Sequence, residues 1–224
     1  MPHVPLYVSP EFDGKTGQGL YSDVIAEIDF NTGRILDHLK TLGIEENTLV
    51  IFTSDNGPWL VKGKHGGSAL PLFEGKMTHF EGGQRVPTII KWPGKIPAGS
   101  VCDEMALSMD WLPTLAHITG ANLPTQMSLD GKNIIDLLSG KEDAKTPHEY
   151  FFFGSLAVRS GNWKLLVKKP RRKNAGKPQL HLFDLTKDIG EKNNLAQAKP
   201  KVVKELQVRM EELDAEITKN ARSP

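Results

Sequence analysis

The chain has 224 residues, with 28 Lys and Arg against 27 Asp and Glu, a formal net charge of +1. That balance provides no global field to draw it to nucleic acid or a membrane surface, and no apolar run approaches the roughly 20 residues that span a bilayer. The single cysteine, Cys102, excludes an internal disulfide framework and a thiolate metal cluster.

Residues 1–16 are rich in Pro and Gly and read as irregular, with no basic-then-apolar export segment after Met1. From Gly19 to Leu42 apolar residues recur at helical spacing (Leu20, Val24, Ile28, Ile35, Leu39, Leu42), and Gly43 is a natural C-terminal stop. Thr48–Thr53 (TLVIFT) has the β-branched and aromatic bias of a buried strand. Helix, short link and buried strand together predict an α/β unit with a parallel sheet. Residues 57–85 carry many glycines and no clear period, which predicts a long loop over a site. A second strand is expected at Val86–Trp92 and a helix at Asp110–Thr119, stopped by Gly120. One more short helix is expected at Asn133–Leu138.

The character changes after about residue 145. EYFFFG, LAVRSGNWKLLVK and QLHLFDL read as short strands of an antiparallel sheet. Lys199–Lys219 reads as a closing amphipathic helix with a stripe of Val203, Leu206, Met210, Leu213 and Ile217. The expected division is 1–145 and 146–224. The basic stretch KKPRRKNAGK (168–177) reads either as a solvated hairpin tip or as a polyanion-binding surface.

The chemistry begins where the strand TLVIFT ends in Ser54-Asp55-Asn56-Gly57-Pro58. In open α/β sheets, ligands bind beyond the carboxyl ends of the strands. Asp55 and Asn56 offer oxygen donors suited to Ca²⁺ or Mg²⁺, and the same residue types also make a plain Asx-turn. Further along, GKMTHFEGGQRVP (75–87) sets Lys76 before a glycine pair that permits close backbone approach. Lys76 is either a solvated surface lysine or a cation that neutralises an anionic substrate. His3, in PHVP, suits an imidazole in a structural turn.

These residues carry a resemblance. TLVIFTSDNGPW followed by GKMTHFEGGQRVPTIIKWPGKIPAG resembles the second half of the sulfatase family, arylsulfatase type, with an alkaline-phosphatase-like fold. PHVPL, GLYSDVIAEIDFNTGRILDHLKTLGIEENT, DWLPTLAHITG, LDGKNIIDLL, AVRSGNWKLLV and LFDLTKDIGEKNNLA extend the likeness along nearly the whole chain. It implies an α/β fold with a partial alkaline-phosphatase-like sheet and flanking helices, followed by a small C-terminal antiparallel sheet with a terminal helix. It implies that Asp55 and Asn56 are two ligands of a divalent cation, Ca²⁺ or alternatively Mg²⁺, and that Asp55 assists deprotonation of the nucleophile. Lys76 is expected to contact the sulfate and bridging oxygens, and His3 to hydrogen-bond the sulfate and protonate the leaving oxygen. Glu81, Gly82, Gly83 and Arg85 are expected to shape the loop that aims Lys76. His65 is either a pocket-lining residue or a loop histidine facing water. His79 has no assigned role.

The family nucleophile is a hydrated formylglycine made in a C/S-x-P-S-R motif, and no such motif occurs here. Cys102 lacks that context and reads as a small hydrophobe. The paired aspartates that complete the family's metal site also have no counterpart. The expectation is therefore a C-terminal portion of a sulfatase, inactive alone, whose partner is the missing N-terminal half. The expected substrate is a sulfated small molecule or sulfated glycan, with no nucleic acid or membrane partner. By resemblance the compartment is periplasmic, extracellular or lysosomal. A phosphate or phosphonate ester hydrolase of the same superfamily, and a non-catalytic polyanion-binding fragment, are the competing readings.

Overall fold

The computed structural model describes residues 2–124, 126, 128–168 and 177–221. The heart of the basic stretch 168–177 lies outside the described residues. Contacts group the chain into two compact units: Met1–Phe30 with Ser54–Pro87 and Tyr150–Pro224, and Asn31–Thr53 with Thr88–Glu149.

The first unit is built on a four-stranded antiparallel sheet. Its strands β3 (Phe151–Phe152), β4 (Ala157–Ser160), β5 (Trp163–Lys168) and β6 (Gln179–Asp184) follow chain order across the sheet. Successive strand side chains point to opposite faces, so the short apolar runs serve two layers. Val158, Leu165 and Leu182 pack with Val203, Leu206 and Met210 of the closing helix, Pro200–Asn220. On the other face Phe153, Ala157 and Leu166 meet Phe80 and Phe151. The apolar stripe of the closing helix stops being useful before Ile217, which is 52% exposed. A 21-residue helix runs about 31 Å, whereas a six-residue strand reaches only about 20 Å, so the helix outruns the sheet.

Helix α1, Leu20–Thr41, forms where the apolar spacing places it. Asp23 in its first turn gathers the preceding loop. Its buried carboxylate accepts hydrogen bonds from Gly14 N–H (3.1 Å), Thr16 N–H (2.8 Å) and the Thr16 hydroxyl (2.7 Å). The Thr16 bonds, hydroxyl first, hold its pKa below the usual Asp value.

The loop over 57–85 is not structureless. It contains a kinked 3-10 run, Leu60–His65, and a single helical turn, α2 (Glu81–Gln84). Periodicity could not show these pieces, because backbone contacts between glycines, and not an apolar stripe, hold them. Gly57 N–H donates to Gly83 O (3.2 Å), Lys76 N–H to Pro58 O (2.8 Å) and Gly82 N–H to Phe73 O (2.9 Å). A Cβ on Gly57 would sit 1.8 Å from Gly82 O, and one on Gly75 would sit 2.3 Å from Pro58 O.

In the second unit β1 (Val50–Thr53) pairs with β2 (Thr88–Lys91), Val50 opposite Lys91 and Thr53 opposite Thr88. The pair is antiparallel, which corrects the expected parallel sheet. No crossover helix of the kind a parallel pair needs joins the two strands; the connection is the looped segment 54–87. The strand is also not buried: Phe52 is 40% and Ile89 65% exposed, since two strands cover little apolar surface by themselves. Helix α3, Trp111–Thr119, ends at Gly120 in the left-handed region (φ 69°), and α4 spans Ile135–Leu138. Asp110, fully buried, accepts from Leu107 N–H and Lys132 N–H and lies 2.8 Å from His148 Nε2. The closing helix is α5.

Two outcomes test these local arguments. A carboxylate whose folded pKa is depressed adds stability above its unfolded value and loses it as pH falls through the folded value. Asp23→Asn should therefore lower the urea midpoint at pH 7, and the gap from the unsubstituted chain should shrink toward pH 3; a gap constant with pH contradicts the assignment. Gly57→Ala should destabilise by more than about 1 kcal/mol. Gly33→Ala, in the interior of α1 with open space around it, should stabilise by about 0.5–1 kcal/mol. Urea unfolding of the pair reads both signs.

Candidate functional site

All five candidate residues belong to the first unit. The Asp55-Asn56 turn follows β1 directly. Its backbone is closed by the Ser54 hydroxyl, which donates to Asn56 O at 2.9 Å. Among the described residues the side-chain oxygens of Asp55 and Asn56 accept no hydrogen bond, unlike an Asx-turn. They remain available to a ligand or to water.

Lys76 is held against the same turn by its backbone. Its N–H donates to Pro58 O, two residues after Asn56. The fit is close because Gly75, Gly82 and Gly83 have no side chains; a Cβ on Gly83 would lie 2.5 Å from both Gly75 O and Thr78 O. The Lys76 ammonium lies 5.2 Å from the centre of the Trp59 ring, within cation–π range. The Lys62 ammonium lies 4.5 Å from the same ring.

His3 joins this group through Trp59, with ring centroids 5.9 Å apart. Its Nδ1 is 2.9 Å from Val4 O. A carbonyl can only accept, so Nδ1 carries the proton and Nε2 is the nitrogen that takes or gives one. The structure thus brings His3, Lys76 and the turn bearing Asp55 and Asn56 into one neighbourhood. His65 ends the 3-10 run with an exposed side chain and is absent from the described contacts of Trp59.

Three further residues matter here that local sequence pattern does not single out. Trp59 is the common neighbour of His3, Lys62 and Lys76. Lys164 and Glu191 flank Glu81: the Lys164 ammonium lies 2.9 Å from Glu81 Oε1 and 3.0 Å from Glu191 Oε1. A lysine set between Trp163 and the Leu165-Leu166-Val167 run is the available signal, because a buried ammonium needs a carboxylate. His79, half-buried beside this group, keeps its pKa low through burial first and the Lys164 charge second.

Asp55 and Asn56 have the donor chemistry of a hard cation site. They supply two oxygens where Ca²⁺ takes about six to eight. Among the described residues no three His, Cys, Asp or Glu side chains gather as a metal site. These residues alone therefore do not make a complete cation site. No described helix is long and apolar enough to cross a membrane.

The chain resembles known proteins along most of its length. A family model described as "Sulfatase" matches residues 1–121. One described as "N-sulphoglucosamine sulphohydrolase, C-terminal" matches residues 70–216. Human arylsulfatase A is 36% identical over a 247-residue alignment that covers 96% of this chain and 48% of that protein. N-acetylgalactosamine-6-sulfatase of Canis lupus familiaris is 40% identical over 164 residues, covering 72% of this chain and 31% of that protein. The crystal structure of PsFucS1 sulfatase from Pseudoalteromonas sp. superposes with a TM-score of 0.85 at 27% identity, covering 99% of this chain and 48% of that one. The chain thus spans about half or less of the length of these relatives. Its mixed α/β architecture, with antiparallel sheets and a C-terminal helix, is shared with sulfatases of alkaline-phosphatase-like fold. The chain belongs to the sulfatase family.

Proposed function

We propose that these residues form the anion-facing portion of a sulfuric ester hydrolase. The observation that supports this is the backbone link from Lys76 to Pro58, which holds the Lys76 backbone beside the Asp55-Asn56 turn. A sulfate ester holds charge on three non-bridging oxygens, and its departing oxygen gains charge as the S–O bond breaks. The Lys76 ammonium offsets the first charge in place and without reorganisation. His3 addresses the second: with Nδ1 tied to Val4 O, a protonated Nε2 donates to the leaving oxygen. Asp55 and Asn56 would supply two of the oxygens of a Ca²⁺ or Mg²⁺ site completed by other residues, and such a cation would supply Lewis-acid chemistry. His65 stays a candidate for the outer pocket.

A sulfated small molecule or sulfated glycan is the proposed substrate class. One relative is named for N-acetylgalactosamine-6-sulfatase activity, which supports a sulfated sugar. A periplasmic, extracellular or lysosomal setting accompanies this reading. The formylglycine motif of the family does not occur in these 224 residues, and when present that group supplies the nucleophilic oxygen. Turnover therefore requires a segment bearing C-x-P-S-R or S-x-P-S-R, joined to this chain or supplied beside it.

The purified 224-residue chain should release no product from an aryl sulfate, with or without Ca²⁺; Ca²⁺-dependent release contradicts the proposal. Joined to a family segment that carries the motif, the chain should hydrolyse aryl sulfate in preference to aryl phosphate. There Lys76→Ala should cost about 3 kcal/mol of transition-state stabilisation, roughly two orders of magnitude in turnover. An unchanged rate removes Lys76 from the site.

A further inference from the structure

The loop that aims Lys76 has an anchor in the C-terminal sheet. Lys164 is the second residue of β5 and is 0% exposed. Its ammonium pairs with Glu81 at 2.9 Å and Glu191 at 3.0 Å, and lies 5.2 Å from the Phe153 ring centre. Glu191 Oε2 also accepts the backbone N–H of Glu81 at 2.6 Å. Arg159 from β4 lies 3.5 Å from the other oxygen of Glu81. Burial pushes the Glu191 carboxyl up, and the Lys164 ammonium opposes that.

A buried ion cluster of this kind is a poor source of net stability, since apolar replacements are often neutral or better. Its distinctive property is geometric. No member can move far without stranding a charge in the interior. The cluster grips Glu81 by both backbone and side chain, and Glu81 begins the turn that delivers Gly82 and Gly83. Those two glycines are the ones packed against Gly57 and Gly75. The path from Lys164 therefore crosses two buried carboxylate side chains to Glu81, and from Glu81 to Lys76 it runs through backbone in close contact.

We propose that Lys164 is a positioning residue for the anion site: through Glu81, and with Glu191, it fixes the Gly82-Gly83 turn that sets Lys76 against the Asp55-Asn56 turn. The C-terminal sheet is then part of the frame of the site. The functional meaning rests on the reading of Lys76 given above, while the positioning itself is measured without turnover.

The test uses the 224-residue chain. In Lys164→Met, exchange of the Gly57 and Lys76 amides should accelerate about tenfold or more relative to the amides of α5. The Lys76 side-chain protons should also lose the ring-current shift imposed by Trp59. A role confined to stability speeds all amides together and leaves that shift intact in the folded molecules; this result overturns the proposal. If Lys164→Met does not fold, Glu191→Gln keeps the size and the acceptor for Glu81 N–H while removing the charge, and the same two readouts decide. If neither folds, native-state exchange of the unsubstituted chain decides. Gly57 and Lys76 amides should open together with those of Leu165 and Leu166, and opening at clearly lower denaturant overturns the proposal. An inactive joined enzyme with these readouts as expected would sink the sulfatase reading alone.

Discussion

The arrangement depends on the close approach of two backbone segments that carry almost no side chains where they meet. Gly57 N–H donates to Gly83 O and Lys76 N–H to Pro58 O, and a Cβ on Gly57 or Gly75 would clash with the facing backbone. Such contact replaces an apolar core in a region with little periodic hydrophobicity. It also holds an otherwise irregular loop in one shape, because buried backbone groups must find partners. The chemistry-bearing residues ride on this junction: Asp55 and Asn56 precede it on one strand of the chain, and Lys76 sits inside it on the other.

Electrostatics around the junction is divided by burial. Lys164, Glu81 and Glu191 are deep and mutually paired, so their charges are spent on holding position. Lys76, Lys62 and His3 cluster on Trp59 nearer the surface, where the ring's negative face tolerates cations that would otherwise repel one another. The first set gives the loop its shape, and the second leaves positive charge facing outward. A site for a sulfate ester needs both, since a cation stabilises a developing charge well only if it is already in place.

Much of this was legible in the sequence, and the failures have physical causes. Helices α1 and α5 follow from apolar spacing, and α5 buries its stripe of Val203, Leu206 and Met210 against the four-stranded sheet. The antiparallel strands after residue 150 follow from short β-rich runs punctuated by turns. The junction residues were legible as SDNG and GKMTHFEGGQRVP, where glycine and charge are unusually dense. The antiparallel pairing of β1 with β2 is not legible because strand direction is set by the returning connection, which local pattern does not encode. Lys164 and Glu191 escaped because their partnership with Glu81 spans 83 and 110 residues of sequence. Nothing local distinguishes such a lysine from a solvated one except its apolar neighbours. Ile217 continues the apolar stripe by spacing, which takes no account of where the sheet ends.

The central claim is that the Asp55-Asn56 turn and Lys76 share one anion pocket. A crystal structure of the chain joined to a motif-bearing family segment, soaked with sulfate and Ca²⁺, tests it most directly. The account predicts sulfate within hydrogen-bond reach of Lys76 Nζ, with the side-chain oxygens of Asp55 and Asn56 on a cation beside it. Sulfate bound elsewhere, with the Lys76 ammonium turned into solvent, would contradict it.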